Sequence, residues 1–239
     1  MRKTKFSFAI ERNKNKIAEK IAEQQILARR NTWHSRPFWH RVLKRAMDTV
    51  GSLSLFIALS PLMLLTALLI KLTDGGPVIF WQKRVGKWGH VFSFPKFRSM
   101  VVHAETMQAA LQPFNDHGVG SVTFKMKKDP RLTWVGRYIR QASIDELPQL
   151  WCVLRGDMSL VGPRPPLPEE VTHYSLNDRR RLDIEPGLTC FWQVKGRSAI
   201  PFPQQVELDV DYIENPSLEE DFKLLAKTLP AVIKGNGAS

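Results

Sequence analysis

Asp145 and Glu146 stand side by side in Ser143-Ile-Asp-Glu-Leu-Pro-Gln149, and the stretch Arg155-Gly-Asp-Met-Ser-Leu-Val-Gly-Pro-Arg-Pro165 follows within a dozen residues. A carboxylate can act as a nucleophile, and arginine is the side chain whose planar fork matches phosphate oxygens. Together they point to chemistry on a bound phosphate. Local spacing predicts a helix start in which the Ser143 hydroxyl accepts from the amide of Glu146 and Glu146 reaches back to the amide of Ser143. The same spacing allows a plainer role, first-turn acids matched to the helix dipole. Adjacent helical residues point about 100° apart, so these two carboxylates cannot face each other across a substrate like the acid and base of a glycosidase. They suit a nucleophile with a neighbouring metal or proton partner.

Arg164 lies between Pro163 and Pro165, which hold its neighbours extended and aim the guanidinium in one direction. Gly187, and Gly196 followed by Arg197, mark a second turn that carries a cation. Either arginine alone reads as a surface ion-pair partner; with Lys96, Arg98, Arg140 and the acidic pair they read as an anion site. Asp209 and Asp221, late in the chain, read as surface charges.

The elements that must position these residues follow from pattern. A chain of 239 residues can bury one substantial core. Cys152 and Cys190 are its only cysteines, too few for a disulfide framework or a zinc site, which favours a reducing compartment. The net charge is +12, and residues 1–45 hold thirteen Lys or Arg against three Glu, so +10 of it lies in an N-terminal arm. A nucleic-acid-binding domain spreads its cations over a folded surface, so this arm reads rather as attraction to anionic lipid, worth about 1 kcal/mol per charge near the surface. Within it Ile17, Ala18, Ile21, Ala22, Ile26 and Leu27 recur at helical spacing, suiting an interfacial helix or an exposed tail.

Residues 50–70 carry no charge and are long enough to cover a hydrocarbon layer of about 30 Å. Their distance from the N-terminus excludes a cleaved signal peptide. Ser60-Pro61 at the midpoint predicts a kink: the proline ring crowds the carbonyl of Ile57, and the Ser60 hydroxyl can serve the carbonyl of Phe56. Arg41, Lys44 and Arg45 precede the segment, and Lys71, Lys83 and Arg84 follow it. Cations on both sides favour a segment that dips in and returns over a kinked helix that crosses. Beyond it, residues 78–82 and 90–94 read as a hairpin, and helical patterns run over 104–111, 132–141, 143–154, 168–174 and 218–233. Prolines with Trp151 and Trp192 between them suggest an irregular surface resting on a membrane interface.

Gln82-Lys-Arg-Val-Gly86, Lys96-Phe-Arg-Ser-Met100, Asp129-Pro-Arg131, the Asp145-Glu146 segment, residues 154–165 and the stretch from Pro186-Gly-Leu-Thr to Gly196-Arg197 together resemble the bacterial sugar transferases, the monotopic polyprenyl-phosphate phosphoglycosyl transferases. The resemblance runs from about Pro37 to the C-terminus in motif order. It implies an α/β fold, mostly helical with a small β-hairpin, in three parts: a basic arm over 1–36, a juxtamembrane and re-entrant membrane helix broken at Ser60 and Pro61 over 37–72, and a cytosolic catalytic domain over 73–239. Implied too is transfer of a phosphosugar from a UDP-sugar to polyprenyl phosphate at the cytoplasmic face of the bacterial inner membrane, releasing UMP, in the first membrane step of a surface glycan's assembly. Carried over by position, Asp145 is the nucleophile and a Mg²⁺ ligand, Glu146 its catalytic partner, Arg140, Arg164 and Arg197 bind phosphate or nucleotide, and Lys96 and Arg98 lie near the site. Cys190 stands where the family pattern has Gly and Cys152 where it often has Asn. The larger members carry a further membrane-spanning module, so the chain looks like a compact member. Two other readings stay in view: a non-catalytic membrane scaffold keeping the fold, and a nucleic-acid binder resting solely on the arm.

Overall fold

The computed structural model describes residues 38–104, 106–107, 111–116, 126, 129–195 and 200–234. The basic arm, the expected helix at 17–27, Arg197 and half of the expected helix at 104–111 lie outside them. Turns occupy 102–104 and 106–107, where the sequence predicts that helix to begin.

Two helices open the fold, α1 (Phe38–Ala58) and α2 (Ser60–Asp74), bent by 58° at their junction. The cause is Pro61, which has no N–H to give to the carbonyl four residues back. That carbonyl belongs to Ile57, and the Ser60 hydroxyl donates to it at 2.8 Å. The hydroxyl therefore serves Ile57 and not Phe56; it satisfies the very group that the proline leaves without a partner. Leu55 and Leu59 keep their backbone bonds, to the amides of Leu59 and Met63 at 2.9 Å each, so the break costs little. No single helix among the described residues is long and apolar enough to cross a membrane, but the bent pair is so when taken together. Val50, Ile57, Leu64, Leu68 and Leu72 form an exposed apolar surface along it.

The foot of α1 is wired into the rest of the protein. Arg45 donates to the carbonyls of Val153 (2.7 Å) and Leu154 (2.8 Å), and Asp48 accepts from the amide of Leu160 at 3.0 Å. Lys44 pairs with Asp221 at 2.8 Å and with Asp48 at 3.3 Å, and the Tyr212 hydroxyl donates to Asp221 at 2.8 Å. Two of the cations counted above as a membrane flank are thus spent on protein contacts. Asp221 is a buried partner of Lys44, and its expected place on the surface is corrected here.

Strands β1 (Ile79–Val85) and β2 (Val91–Phe97) form an antiparallel hairpin with Gln82 opposite Phe94 and Phe80 opposite Lys96. The strands run three residues further than the apolar pattern suggested. Trp88 (φ 55°) and Gly89 (φ 82°) make the turn between them. Phe92 and Phe94 face the main core, with Leu150, Val153, Met158, Leu160, Ile184, Tyr212 and Leu224. Ile70 and Phe97 meet Val135 and Ile139 of α3 (Trp134–Gln141) in a second cluster that fastens α2 to the hairpin. The side chain of Thr133 caps α3 by accepting from the amide of Gly136 at 2.9 Å.

A second sheet is new to the sequence reading. β3 (Ser159–Val161) and β4 (Gly187–Thr189) pair in parallel, and three-residue strands are too short for periodicity to reveal. Their approach depends on Gly187, where an added Cβ would lie 2.1 Å from the backbone nitrogen of Gly162. Short helices α4 (Leu150–Arg155), α5 (Pro168–Thr172) and α6 (Phe191–Lys195) are followed by α7 (Phe202–Glu214), which the sequence reading missed, and by α8 (Leu218–Lys234). The result is mostly helical with small sheets, as expected. Trp192 is buried while Trp151 stays half exposed, so of these two only Trp151 fits an outward surface.

Candidate active site

The acidic pair rests on a 3-10 turn, Ile144–Gln149, that runs into α4. Pro148 explains why this is no α-helix, since it can neither donate to the carbonyl of Ile144 nor avoid it. Ser143 enters in the left-handed region (φ 55°, ψ 21°) and makes no side-chain cap. The capping box is corrected accordingly: the amide of Glu146 goes to the backbone carbonyl of Ser143 at 3.2 Å, and the Glu146 carboxylate turns elsewhere.

It turns to cations. Lys96, from β2, donates to Glu146 at 3.1 Å, and Arg164, from the loop after β3, stands 3.8 Å from the same oxygen. Burial alone would raise the Glu146 carboxyl, but Lys96, Arg164 and Arg84 outweigh it and bring it down to about 2. Asp145, only 6% exposed, has no ion-pair partner among the described residues. Burial, reinforced by the charge on Glu146, pushes its carboxyl up to about 6 against the pull of Lys96 and Arg140. Neighbours in the chain therefore hold opposite characters: Glu146 is a fixed anion, and Asp145 is a desolvated carboxyl poised near neutrality.

Around them the structure assembles most of the cations picked out above. Arg140 sits in the last turn of α3, near enough to Asp145 to favour its ionised form. Arg164 is held in a loop whose carbonyls are fixed on both flanks: Pro163 accepts from Gly187 (2.8 Å), Pro165 from Arg84 (3.0 Å) and Pro166 from Val85 (2.9 Å). Arg98 pairs with Asp74 at the end of α2. Asp129 and Arg131 pair with each other through contacts of 2.6 to 3.1 Å.

Arg84 belongs to this site and sequence reasoning had put it only in the membrane flank and a motif. The available signal was parity: Phe80, Gln82 and Arg84 share one face of β1, so a cation stood at an inward position. Asp209 is likewise buried, pairing with Arg181 at 2.7 Å, and burial pushes its carboxyl up to about 6. Its expected surface position is corrected. No group of three or more His, Cys, Asp or Glu suited to a metal ion occurs among the described residues.

A buried carboxyl without an ion-pair partner stands beside a carboxylate held by Lys96 and Arg164, and cations so placed can also bind phosphate oxygens. The chain belongs to the bacterial sugar transferase family, whose model matches residues 39–235. It is 44% identical over 201 residues to the galactosyl transferase CpsE of Streptococcus agalactiae, covering 83% of this chain and 44% of that protein. The undecaprenyl-phosphate galactose phosphotransferase of Salmonella typhimurium is 44% identical over 202 residues, covering 83% of this chain and 42% of that protein. With the exopolysaccharide production protein ExoY of Sinorhizobium fredii the identity is 38% over 202 residues, covering 82% and 88%. The chain thus spans less than half the length of the first two relatives and matches most of the third.

Proposed function

We propose that the chain transfers a phosphosugar from a UDP-sugar to a polyprenyl phosphate such as undecaprenyl phosphate, at the cytoplasmic face of a bacterial inner membrane, in the assembly of an extracellular or capsular polysaccharide. The observation that carries this reading is the asymmetry of the acidic pair, with Asp145 buried and unpaired beside a Glu146 held by Lys96 and Arg164. The names of the relatives supply the substrate class, since one of them is an undecaprenyl-phosphate galactose phosphotransferase.

In the first step an Asp145 carboxylate oxygen attacks the phosphorus next to the sugar, and the bond from that phosphorus to the bridging oxygen breaks. UMP leaves with the bridging oxygen, and the phosphosugar stays on Asp145 as an acyl phosphate. In the second step an oxygen of the polyprenyl phosphate attacks the same phosphorus and expels the Asp145 carboxylate, giving polyprenyl diphosphate sugar. Burial makes the Asp145 carboxylate a strong nucleophile once ionised, because it has shed its water and no cation pairs with it. Arg164 and Lys96 can trade Glu146 for diphosphate oxygens as substrate enters, and Arg140 favours the ionised state of Asp145. Once its cations are drawn to substrate, Glu146 becomes a better base toward a protonated lipid phosphate. Arg197, outside the described residues, would add a further cation.

Mg²⁺ fits this donor set. It commonly takes one or two carboxylates plus substrate phosphates, and Asp145 with its diphosphate substrate supplies that combination. When bound it would neutralise charge on the diphosphate and on the departing UMP.

The test is UMP release by the full chain in nanodiscs containing polyprenyl phosphate, with Mg²⁺ and a panel of UDP-sugars. We expect release with at least one donor, its loss in Asp145→Asn, and a phosphosugar mass on a peptide containing Asp145 when acceptor is withheld. Undiminished release by Asp145→Asn overturns the reading.

A further inference from the structure

Arg84 is a buried cation with no anion of its own. Its side chain is 7% exposed and donates to neutral acceptors: Nε and Nη2 to Gln82 Oε1 at 3.0 and 2.8 Å, and Nη1 to the carbonyl of Pro165 at 3.0 Å. No carboxylate among the described residues lies within ion-pair distance of it. The guanidinium carbon stands 5.4 Å from the centre of the Phe94 ring, and Lys96 Nζ lies 5.4 Å from the same centre. Two cations therefore share one aromatic platform, and one of them, Lys96, holds Glu146. Burial, then repulsion from Arg164, lowers the Arg84 guanidinium to about 10.

A desolvated charge is costly unless something offsets it. Lys96, Arg164 and Arg84 all act on Glu146, and Glu170 acts on Arg84 as well, so three cations stand against these two carboxylates. Gln82 fixes the plane of the Arg84 fork, and the fork fixes the peptide next to Arg164. If Arg84 were only a packing plug, an apolar side chain would fill the space at less cost; what an apolar side chain cannot supply is surplus charge under an anion site and a grip on the Arg164 loop.

We propose that Arg84 is a positioning residue that holds Arg164 toward the acidic pair through the Pro165 carbonyl and stores the positive charge that a nucleoside diphosphate's two phosphates offset on binding. This inference rests on the transfer reading above for its substrate class, while its test does not need turnover. The full chain in nanodiscs, as parent, Arg84→Met and Arg84→Lys, is titrated calorimetrically with inorganic diphosphate and with UDP, and donor KM and kcat are read from UMP release.

Loss of the charge in Arg84→Met should weaken diphosphate and UDP binding about tenfold or more, and raise donor KM to match. Arg84→Lys keeps the charge but loses the fork, so its affinity should stay within about threefold of the parent while kcat falls about tenfold. Parental diphosphate affinity in a folded Arg84→Met, or equal loss of affinity in both variants, overturns the proposal. Should Arg84→Met fail to fold, the lysine variant decides alone, because loss of affinity beyond tenfold there means that charge is not what matters. Absence of UMP release from the parent with every donor would sink the transfer reading, and the diphosphate titrations would still decide the role of Arg84.

Discussion

Lys96 reaches 3.1 Å across from β2 to Glu146, a charged contact between the hairpin and the turn that carries the acidic pair. It is also the strongest favourable charge on both acids, holding Glu146 ionised and countering the burial of Asp145. Replacing Lys96 by Met should therefore leave two carboxyls sharing a poorly solvated corner, where one must take up a proton. We expect kcat for UMP release to fall about 10²- to 10³-fold, the range for losing one preorganised electrostatic partner, while Lys96→Arg, which keeps the charge, retains part of the activity. Steady-state kinetics at saturating donor checks this, and a loss under threefold in Lys96→Met would contradict it.

The raised Asp145 carboxyl has a sign that can be read twice. In turnover, the nucleophile must be ionised, so kcat/KM for the donor should rise with pH through about 6 and level off above it. In stability, the folded state binds the Asp145 proton more tightly than the unfolded state, whose carboxyl titrates near 3.8. Between those values the folded protein holds more protons, so stability falls as pH rises, and the cost persists above 6. Asp145→Asn removes that cost. The variant should be more stable than the parent at pH 8 by about 2 to 3 kcal/mol, with the gap closing as pH drops toward 4. Paired thermal melts at pH 8 and pH 4 measure it, and an asparagine variant less stable than the parent at pH 8 would refute the buried, unpaired carboxylate.

Residue type and order made much of the site legible. Asp145, Glu146, Lys96 and Arg164 sit in motifs whose chemistry is local, and the structure brings these four together. What escaped the sequence depends on contacts made far along the chain. Asp209 and Asp221 look like ordinary surface acids until Arg181 and Lys44 arrive from other elements to bury them. Arg98 lies two residues from Lys96, which suggests a shared face, yet it falls just beyond the end of β2 and its guanidinium goes to Asp74. The capping box failed for a local reason, because Pro148 tightens the turn and leaves Ser143 outside helical geometry. Helices with strong apolar periodicity were found, and the three-residue strands β3 and β4 were not.

Asp48 joins the foot of α1 to the strand that leads to Arg164, through the amide of Leu160 at 3.0 Å. Asp48→Ala leaves that buried amide and Lys44 short of an acceptor, which costs about 1 to 3 kcal/mol. Because β3 continues into the Arg164 loop, we expect turnover to fall with stability. Asp48→Asn, which keeps an acceptor oxygen for the amide, should recover most of both. Chemical unfolding in detergent together with UMP release checks the pair, and an asparagine variant as damaged as the alanine one would mean that the charge toward Lys44 outweighs the amide contact.

The bend at Ser60 and Pro61 is where a crossing form and a re-entrant form of the apolar pair can be told apart. Pro61→Ala gives back an N–H for the Ile57 carbonyl, the group now served by the Ser60 hydroxyl at 2.8 Å, and so removes the reason for the 58° bend. In the parent, cysteines placed as Phe38→Cys, at the start of the pair, or as Pro77→Cys, just past its end, occupy exposed positions. Both should react with a membrane-impermeant maleimide added to the same side of sealed vesicles, since Cys152 and Cys190 are buried and contribute little background. In Pro61→Ala the straightened pair is long enough to cross, and labelling of one end should fall by about half or more as molecules take the crossing form. Labelling of the parent's two ends from opposite sides would show a crossing helix and remove the re-entrant reading, because a break in the backbone bends a helix without obliging it to turn back.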